Sequence, residues 1–179
     1  WIIMLEVLCI VNGPLQENCY VVHNGIDALI IDPGSEEKRI LTEVNSRNLS
    51  VKGILVTHYH FDHVGSLDYI RNVYPKAELI DFKRKGDVKL GVFDFKIVET
   101  YGHTMDSVSF YFDKNNILFT GDFLFKETIG NFNEENELSM LNSLNVLKYM
   151  SNNVTVYPGH GPETTVGHEL QYNPFLRGI

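Results

Sequence analysis

The chain has 179 residues, of which 44% are hydrophobic and 12% aromatic, so it can bury a sizeable core and is not a disordered chain. A net charge of -8, with no run of basic residues long enough to form a phosphate-binding stripe, argues against nucleic acid as a binding partner. The two cysteines, Cys9 and Cys19, lie in apolar runs and predict buried thiols in a reducing, cytoplasmic compartment.

The length is typical of one domain, and we predict a single domain over residues 1–179. The apolar N-terminus carries Glu6, lacks a basic segment and is too short to span a bilayer, so neither a signal peptide nor a membrane anchor is expected. Met4 is a possible natural start.

The first third of the chain is predicted to be mostly strands. Residues 5–11 form one strand, and residues 19–23 and 28–31 form a hairpin around Asn24-Gly25, next to which His23 is expected to be solvated. Acidic residues in a first turn predict an amphipathic helix from about 35 to 48. A buried strand at 51–56 follows, and then a helix at 66–73 that ends before Pro75.

The second half repeats this order of elements. Strands are predicted at 77–80 and 93–99, with a polar loop at 81–91 between them, and a hairpin pairs 108–112 with 117–119. A helix at about 134–150, a strand at 154–157 and a short helix near Glu163 complete the chain. We therefore expect an α/β fold in which two similar halves pack together.

Residues 57–63 read Thr-His-Tyr-His-Phe-Asp-His and begin where the strand at 51–56 ends. Imidazole and carboxylate groups are ligands for zinc-like dications, and loops at the carboxyl ends of strands carry chemistry in α/β proteins. His58 and His60 are two residues apart, so an extended backbone would direct both side chains to one side. We interpret His58, His60, Asp62 and His63 as metal ligands.

Three later segments place a residue that can bind metal beside glycine at a strand end. They contain His103 in Gly-His-Thr, Asp122 in Gly-Asp, and His160 in Pro-Gly-His-Gly. Together with the first cluster they give five histidines and two aspartates, which suit two metal ions better than one. Two dications can hold a water between them, lower its pKa and polarise a carbonyl, so the set predicts a hydrolase.

These motifs resemble those of the metallo-β-lactamase superfamily over nearly the whole chain. Residues 121–125, 158–165 and 169–175 are similar to its glyoxalase II (hydroxyacylglutathione hydrolase) branch. The resemblance implies a four-layer αβ/βα sandwich, a small-molecule thioester or ester substrate, and two divalent ions, most readily Zn, with Fe or Mn as alternatives. The implied assignment is metal 1 on His58, His60 and His103; metal 2 on Asp62, His63 and His160; and Asp122 as a bridge.

The resemblance also implies that Asp62 orients the attacking water and that Asp32 steadies the metal-binding loop, although turn chemistry alone would explain Asp32 equally well. Two positions depart from the branch: Asn131 stands where its members carry Lys or Arg, and Asp106 replaces a glycine. The chain also ends before the helical region that helps those enzymes bind glutathione. These departures weaken the expectation that glutathione is the recognised group.

Two other functions remain open from the sequence. One is an iron-dependent persulfide (sulfur) dioxygenase of the same fold, with iron on His58, His103 and Asp122. The other is a non-catalytic metal-binding protein. Flavodiiron oxygen reductases usually carry a carboxylate where His60 stands, and the flanking sequences favour a glyoxalase-like enzyme over a β-lactamase.

Overall fold

The computed structural model describes residues 2–177 and contains two main β-sheets. The first has five strands in the order β1-β2-β3-β4-β5. Strands β1 to β3 are antiparallel, whereas β3, β4 and β5 are parallel. Their bounds are β1 Glu6–Asn12, β2 Glu17–His23, β3 Asp27–Ile31, β4 Ser50–Leu55 and β5 Glu78–Ile80.

The second sheet has six strands in the order β13-β12-β9-β8-β7-β6, and only β9 and β12 pair in parallel. A separate two-stranded hairpin, β10 with β11, lies between β9 and the next helix. The bounds are β6 Gly86–Leu90, β7 Phe93–Glu99, β8 Val108–Phe112, β9 Ile117–Gly121, β10 Leu124–Phe125, β11 Thr128–Ile129, β12 Thr155–Pro158 and β13 Thr164–Thr165.

The part of the chain that the structure describes has five α-helices: α1 Glu37–Ser46, α2 Phe61–Val64, α3 Leu67–Val73, α4 Glu137–Leu144 and α5 Val166–Tyr172. Short 3-10 turns flank α4 at Glu134–Asn136 and Asn145–Tyr149, and others lie at Asp113–Asn115 and Pro174–Leu176. No helix within residues 2–177 is both long enough and apolar enough to cross a membrane.

Three apolar clusters lie between four layers. The middle cluster joins the facing sides of the two sheets, with Leu29 and Leu55 from the first and Phe95 and Phe110 from the second. A second cluster packs α1 and α3 on the outer face of the first sheet, and a third packs α4 and α5 on the outer face of the second. This arrangement is the predicted αβ/βα sandwich.

Several predicted elements differ in the structure. The polar loop at 81–91 is wrong, because β6 pairs with β7 there and buries Val88. Its alternate residues are charged since β6 is the edge strand of its sheet. The helix predicted at 66–73 is confirmed as α3, but a separate short helix that was not predicted, α2, precedes it and contains Asp62 and His63. The helix predicted at 134–150 is interrupted by 3-10 turns on both sides of α4.

Two side chains near the start of the chain also differ from expectation. Cys9 is exposed, whereas Cys19 is buried as predicted, because they occupy opposite faces of the β1–β2 ladder. His23 is buried rather than solvated, since it ends a strand that is covered on both faces. Its Nδ1 accepts a hydrogen bond from the Gly25 amide, which fixes the hairpin turn.

Candidate metal centre

The seven predicted ligands converge at one edge of the sandwich. Strands β7, β9 and β12 run in the same direction, so the loops after them emerge together and carry His103, Asp122 and His160. Strand β4 of the other sheet delivers residues 57–63 to the same place. The amide of Val108 donates to the Thr57 carbonyl at 2.9 Å and joins the two sheets there.

Three imidazole rings form one group of candidate ligands. His58 and His60 follow each other in extended backbone, and His58 Nε2 lies 3.1 Å from His60 Nδ1. His103 Nε2 lies 3.0 Å from the same nitrogen of His60. Together with an Asp122 oxygen, these atoms all lie within 4.8 Å of one another, close enough to share one cation.

A second group contains Asp62, His63 and His160. His160 Nε2 lies 3.2 Å from Asp62 Oδ2, and His63 Nε2 lies 3.7 Å from the same oxygen. Helix α2 places Asp62 and His63 in successive positions at its start, and the loop after β12 brings His160 from the other sheet. This group also fits within 4.8 Å.

Asp122 lies between the two groups. Its Oδ1 is 3.2 Å from His63 Nε2 and 3.6 Å from His160 Nε2, whereas its Oδ2 is 3.5 Å from His103 Nε2. Each carboxylate oxygen therefore faces a different group, which is the geometry that a bridging ligand requires.

The buried carboxylate of Asp32 holds Thr57 and His63 in place. Its Oδ1 accepts the Thr57 amide at 2.7 Å, and its Oδ2 accepts the Thr57 hydroxyl at 2.6 Å. The same Oδ2 lies 2.9 Å from His63 Nδ1, so the other ring nitrogen points toward Asp122. A carboxylate on the far nitrogen sets the tautomer and orientation of a metal-ligating histidine.

Backbone carbonyls orient two further rings in the same way. His103 Nδ1 lies 2.6 Å from the Asn131 carbonyl, and His160 Nδ1 lies 3.0 Å from the Leu15 carbonyl. A carbonyl only accepts, so both rings donate from Nδ1 and keep Nε2 free as a lone-pair donor.

Local electrostatics hold His58 and Asp122 in the ionisation state of a ligand, but not His63. Burial, reinforced by His63, lowers the pKa of His58 to about 2, so its ring is neutral. Burial alone would raise the pKa of Asp122, but the proximity of His63 lowers it to about 2. Burial alone would lower the pKa of His63, yet Asp122 and Asp32 outweigh it and raise the pKa to about 11, so in the metal-free chain this ring is protonated and would release its Nε2 proton on binding a cation.

Two atoms at the centre have no hydrogen-bond partner. His63 Nε2 and Asp122 Oδ1 are buried and 3.2 Å apart, without the geometry of a hydrogen bond between them. Buried polar atoms are normally satisfied, because leaving one unpaired costs about 1–3 kcal/mol. A cation shared by these atoms removes that cost, and a set of imidazoles and carboxylates suits zinc, iron or manganese.

Two polar residues of β2 support the site and were not identified from the sequence. Asn18 Nδ2 donates to the Pro158 and Gly161 carbonyls at 3.0 and 2.9 Å, so it holds the loop that carries His160. Glu17 is 1% exposed, and its Oε1 lies 3.8 Å from His63 Nδ1. The sequence feature that could have identified them is a pair of polar residues at the start of an otherwise apolar strand.

A cavity of about 510 Å³ opens over the ligands. Five of its lining residues belong to the predicted ligand set: His60, Asp62, His103, Asp122 and His160. The other described residues in its wall are uncharged: Leu15, Phe125, Thr128, Ile129 and Asn131. The cavity therefore combines the candidate ligands with an uncharged wall of three apolar and two polar residues.

The chain is similar to known proteins over most of its length. The family model for the metallo-β-lactamase superfamily matches residues 12–81 and 72–160, which include all seven candidate ligands. The hydroxyacylglutathione hydrolase GloC of Haemophilus influenzae is 29% identical, with 90% of this chain and 93% of GloC covered.

Two crystal structures share the fold over their whole length. BLEG-1, a B3 metallo-β-lactamase, gives a TM-score of 0.88 at 30% identity and covers 97% of this chain and 100% of its own. TTHA1623, in a di-iron-bound form, gives a TM-score of 0.82 at 28% identity, with 94% and 100% covered.

Proposed function

The chain belongs to the metallo-β-lactamase superfamily, and from this premise we propose that it is a binuclear metallohydrolase that cleaves a small thioester or ester. The observation that carries the proposal is the division of seven side chains into two groups with Asp122 between them. The similarity to GloC supports a thioester substrate, and the similarity to a di-iron protein supports two metals.

We assign the first metal to His58, His60 and His103, and the second to Asp62, His63 and His160, with Asp122 shared. When bound, such ions lower the pKa of water and polarise a substrate carbonyl. Asp62 faces the cavity beside His160, where its carboxylate accepts a proton from the attacking water and orients it.

The cavity wall favours a particular leaving group. Among the described lining residues outside the ligand set there is no acid or base that could protonate a departing atom. A thiol has a pKa of about 8.5 and leaves readily as an anion, whereas an alkoxide or amide nitrogen requires a proton. This favours thioesters, with their acyl part against Leu15, Phe125 and Ile129.

The test is a hydrolysis screen on the purified chain loaded separately with zinc, iron and manganese, with metal content measured per chain. The substrates are a hydroxyacylglutathione, a neutral acyl thioester, an aryl ester, a lactone and a chromogenic cephalosporin. We expect thioester cleavage with two metals bound. Absence of thioester and ester hydrolysis in fully loaded protein contradicts the proposal.

Two variants make the test specific. Asp122→Asn removes the shared carboxylate and is expected to lose about a hundredfold or more in kcat, together with bound metal. Asp68→Asn, an exposed aspartate on α3, is the matched control and should retain both. Binding of one iron, with oxygen uptake on a persulfide, would instead support the dioxygenase, which needs only His58, His103 and Asp122.

A further inference from the structure

A buried carboxylate lies outside the metal centre, on α5. Glu169 is completely inaccessible to solvent, yet three hydrogen-bond donors surround it. Its Oε1 accepts the Thr164 hydroxyl at 2.6 Å, and its Oε2 accepts the Glu127 amide and Asn173 Nδ2, both at 2.8 Å. Burying a carboxyl group is costly unless it is hydrogen-bonded, and these three donors offset that cost.

The donors belong to segments that surround the cavity. Glu127 is in the turn of the β10–β11 hairpin, and Asn173 Nδ2 also donates to the Thr128 carbonyl at 3.1 Å on the same hairpin. Thr164 is on β13, which directly follows the loop of His160. Glu169 therefore connects the hairpin to the segment after a metal ligand.

The hairpin forms one wall of the cavity. Phe125 and Thr128 line it, and the Phe125 ring meets the His160 ring edge-on, with 6.0 Å between centroids. The turn is strained, because Glu127 has a φ of 60°, a conformation that side chains with a Cβ disfavour. A two-stranded hairpin of this length is not stable alone, so it depends on its anchors.

We propose that Glu169 is a positioning residue that holds the β10–β11 hairpin in place as the substrate-binding wall, through the Glu127 amide and Asn173. The kinetic consequence of this inference rests on the proposed hydrolase function. The contacts through which Glu169 holds the hairpin, which we call the Glu169 clamp, do not depend on it. Glu169 and Asn173 are four residues apart on α5 and its end, so one helix face presents both to the hairpin.

Two substitutions of Glu169 distinguish a positioning role from a general contribution to folding stability. Glu169→Ala removes all three acceptor contacts. Glu169→Gln keeps one oxygen for the hairpin and turns its amide toward the Thr164 hydroxyl, which can also accept. Gln171→Ala, an exposed position on the same helix, is the control for changes in α5 itself.

The first measurement is amide hydrogen exchange over residues 126–129 in the wild-type chain and the three variants. We expect a protected Glu127 amide that loses protection on the order of tenfold or more in Glu169→Ala, because that variant removes its acceptor, and is retained in Glu169→Gln and Gln171→Ala. An unprotected Glu127 amide in the wild-type chain, or equal protection in Glu169→Ala, overturns the proposal.

The second measurement is the kinetics of the best thioester substrate. We expect Glu169→Ala to raise KM about tenfold with a smaller change in kcat, and Glu169→Gln to restore KM. A merely structural role would lower kcat with the folded fraction and leave KM unchanged, which would refute a positioning role. If the wild-type chain cleaves no substrate, the proposed function fails, while the exchange result still decides whether the clamp exists.

Discussion

At the scale of single residues, His63 shows how the chain fixes a candidate ligand before any metal binds. Its side chain is fully buried, and Asp32 holds Nδ1 at 2.9 Å. The other nitrogen therefore has one direction available, toward Asp122. Preorganisation of this kind means that metal binding does not have to order the ring, and the geometry leaves little room around it.

Gly159 lies against Asp122 and His63, where there is no space for a side chain. A Cβ at this position would stand 2.3 Å from Asp122 Oδ1 and 2.6 Å from His63 Cε1. We expect Gly159→Ala to displace Asp122, to lower the metal content below two per chain and to reduce kcat about a hundredfold. Metal analysis and thioester kinetics on the purified variant measure both effects.

Gly161→Ala is the matched control for this substitution. Gly161 has a φ of +78°, but no atom lies within 4 Å of a Cβ built there. It should therefore lose about 1 kcal/mol of folding stability from backbone strain and keep its metals. Equal metal loss in both variants would show that loop strain, rather than the contact with Asp122, is responsible.

The sequence predicted which side chains meet here and, through the family resemblance, the support from Asp32, but not the support from Asn18. Imidazoles and carboxylates at short spacing after a buried strand are visible as a pattern, and the structure brings all seven together. The side-chain amide of Asn18 donates hydrogen bonds to the carbonyls of residues 158 and 161, which are 140 and 143 positions away in the sequence. Such a contact depends on the packing of two sheets and leaves no local spacing to detect.

At the scale of elements, β2 links the two halves of the sandwich. The Asn18 amide nitrogen donates to the Gly159 carbonyl at 2.7 Å, and the Tyr20 hydroxyl donates to the Pro158 carbonyl at 2.6 Å. With the Asn18 side chain, these bonds attach the loop after β12 to the first sheet. The position of His160 relative to Asp62 therefore depends on a strand that carries no proposed ligand.

Removing the Asn18 side chain should weaken the second metal site selectively. Asn18→Ala removes the side-chain donor to the Gly161 carbonyl and leaves the Pro158 carbonyl with the Tyr20 hydroxyl alone, so the His160 loop is less well held. We expect affinity for one of the two metals to fall about ten- to a hundredfold, the usual effect of losing a group that orients a ligand. Chelator competition with zinc resolves the two binding steps.

Asn24→Ala tests whether any loss of stability near β2 would also weaken the binding of one metal. Asn24 caps the turn at the other end of the strand, where its Oδ1 accepts the Ile26 and Asp27 amides. This variant should lower the melting temperature without changing either metal affinity. Equal weakening of both metals in Asn18→Ala would argue against a role specific to the His160 loop.

Element predictions succeeded where hydrophobic periodicity was strong and failed where charge obscured it. Strand β7 alternates between buried and more exposed residues, as predicted. Strand β6 reads Gly-Asp-Val-Lys-Leu, in which only Val88 is fully buried, so its charged and apolar residues alternate over too short a stretch to distinguish it from a polar loop. Its pairing with β7 could not be predicted locally, because the strand preference of such a segment depends on packing against its neighbours in the sheet.

At the scale of the whole molecule, the two sheets enclose a set of acidic groups near the metal centre. Glu17, Asp32 and Asp122 all lie in the space that the sandwich closes. Burial, together with repulsion from Asp32, raises the pKa of Glu17 to about 9 from an ordinary value of 4.5. In the metal-free protein, Glu17 is therefore protonated in the folded chain at pH values where it is ionised in the unfolded chain.

The pH dependence of stability follows from this difference. A raised folded-state pKa contributes stability that is fully present below pH 4.5 and is lost as the pH rises toward 9. Between these values the folded chain holds one extra proton, so this group lowers the free energy of unfolding by at most about 1.4 kcal/mol per pH unit. We expect the melting temperature of the chelator-treated wild-type chain to fall across this range relative to that of Glu17→Gln, because the variant carries no titrating proton at this position whereas the other shifted groups, such as His58, titrate in both. Glu6→Gln, an exposed carboxylate on the neighbouring strand, should leave the slope unchanged. Equal slopes in the wild-type chain and Glu17→Gln, measured by calorimetry, would show that Glu17 is not the group that binds this proton.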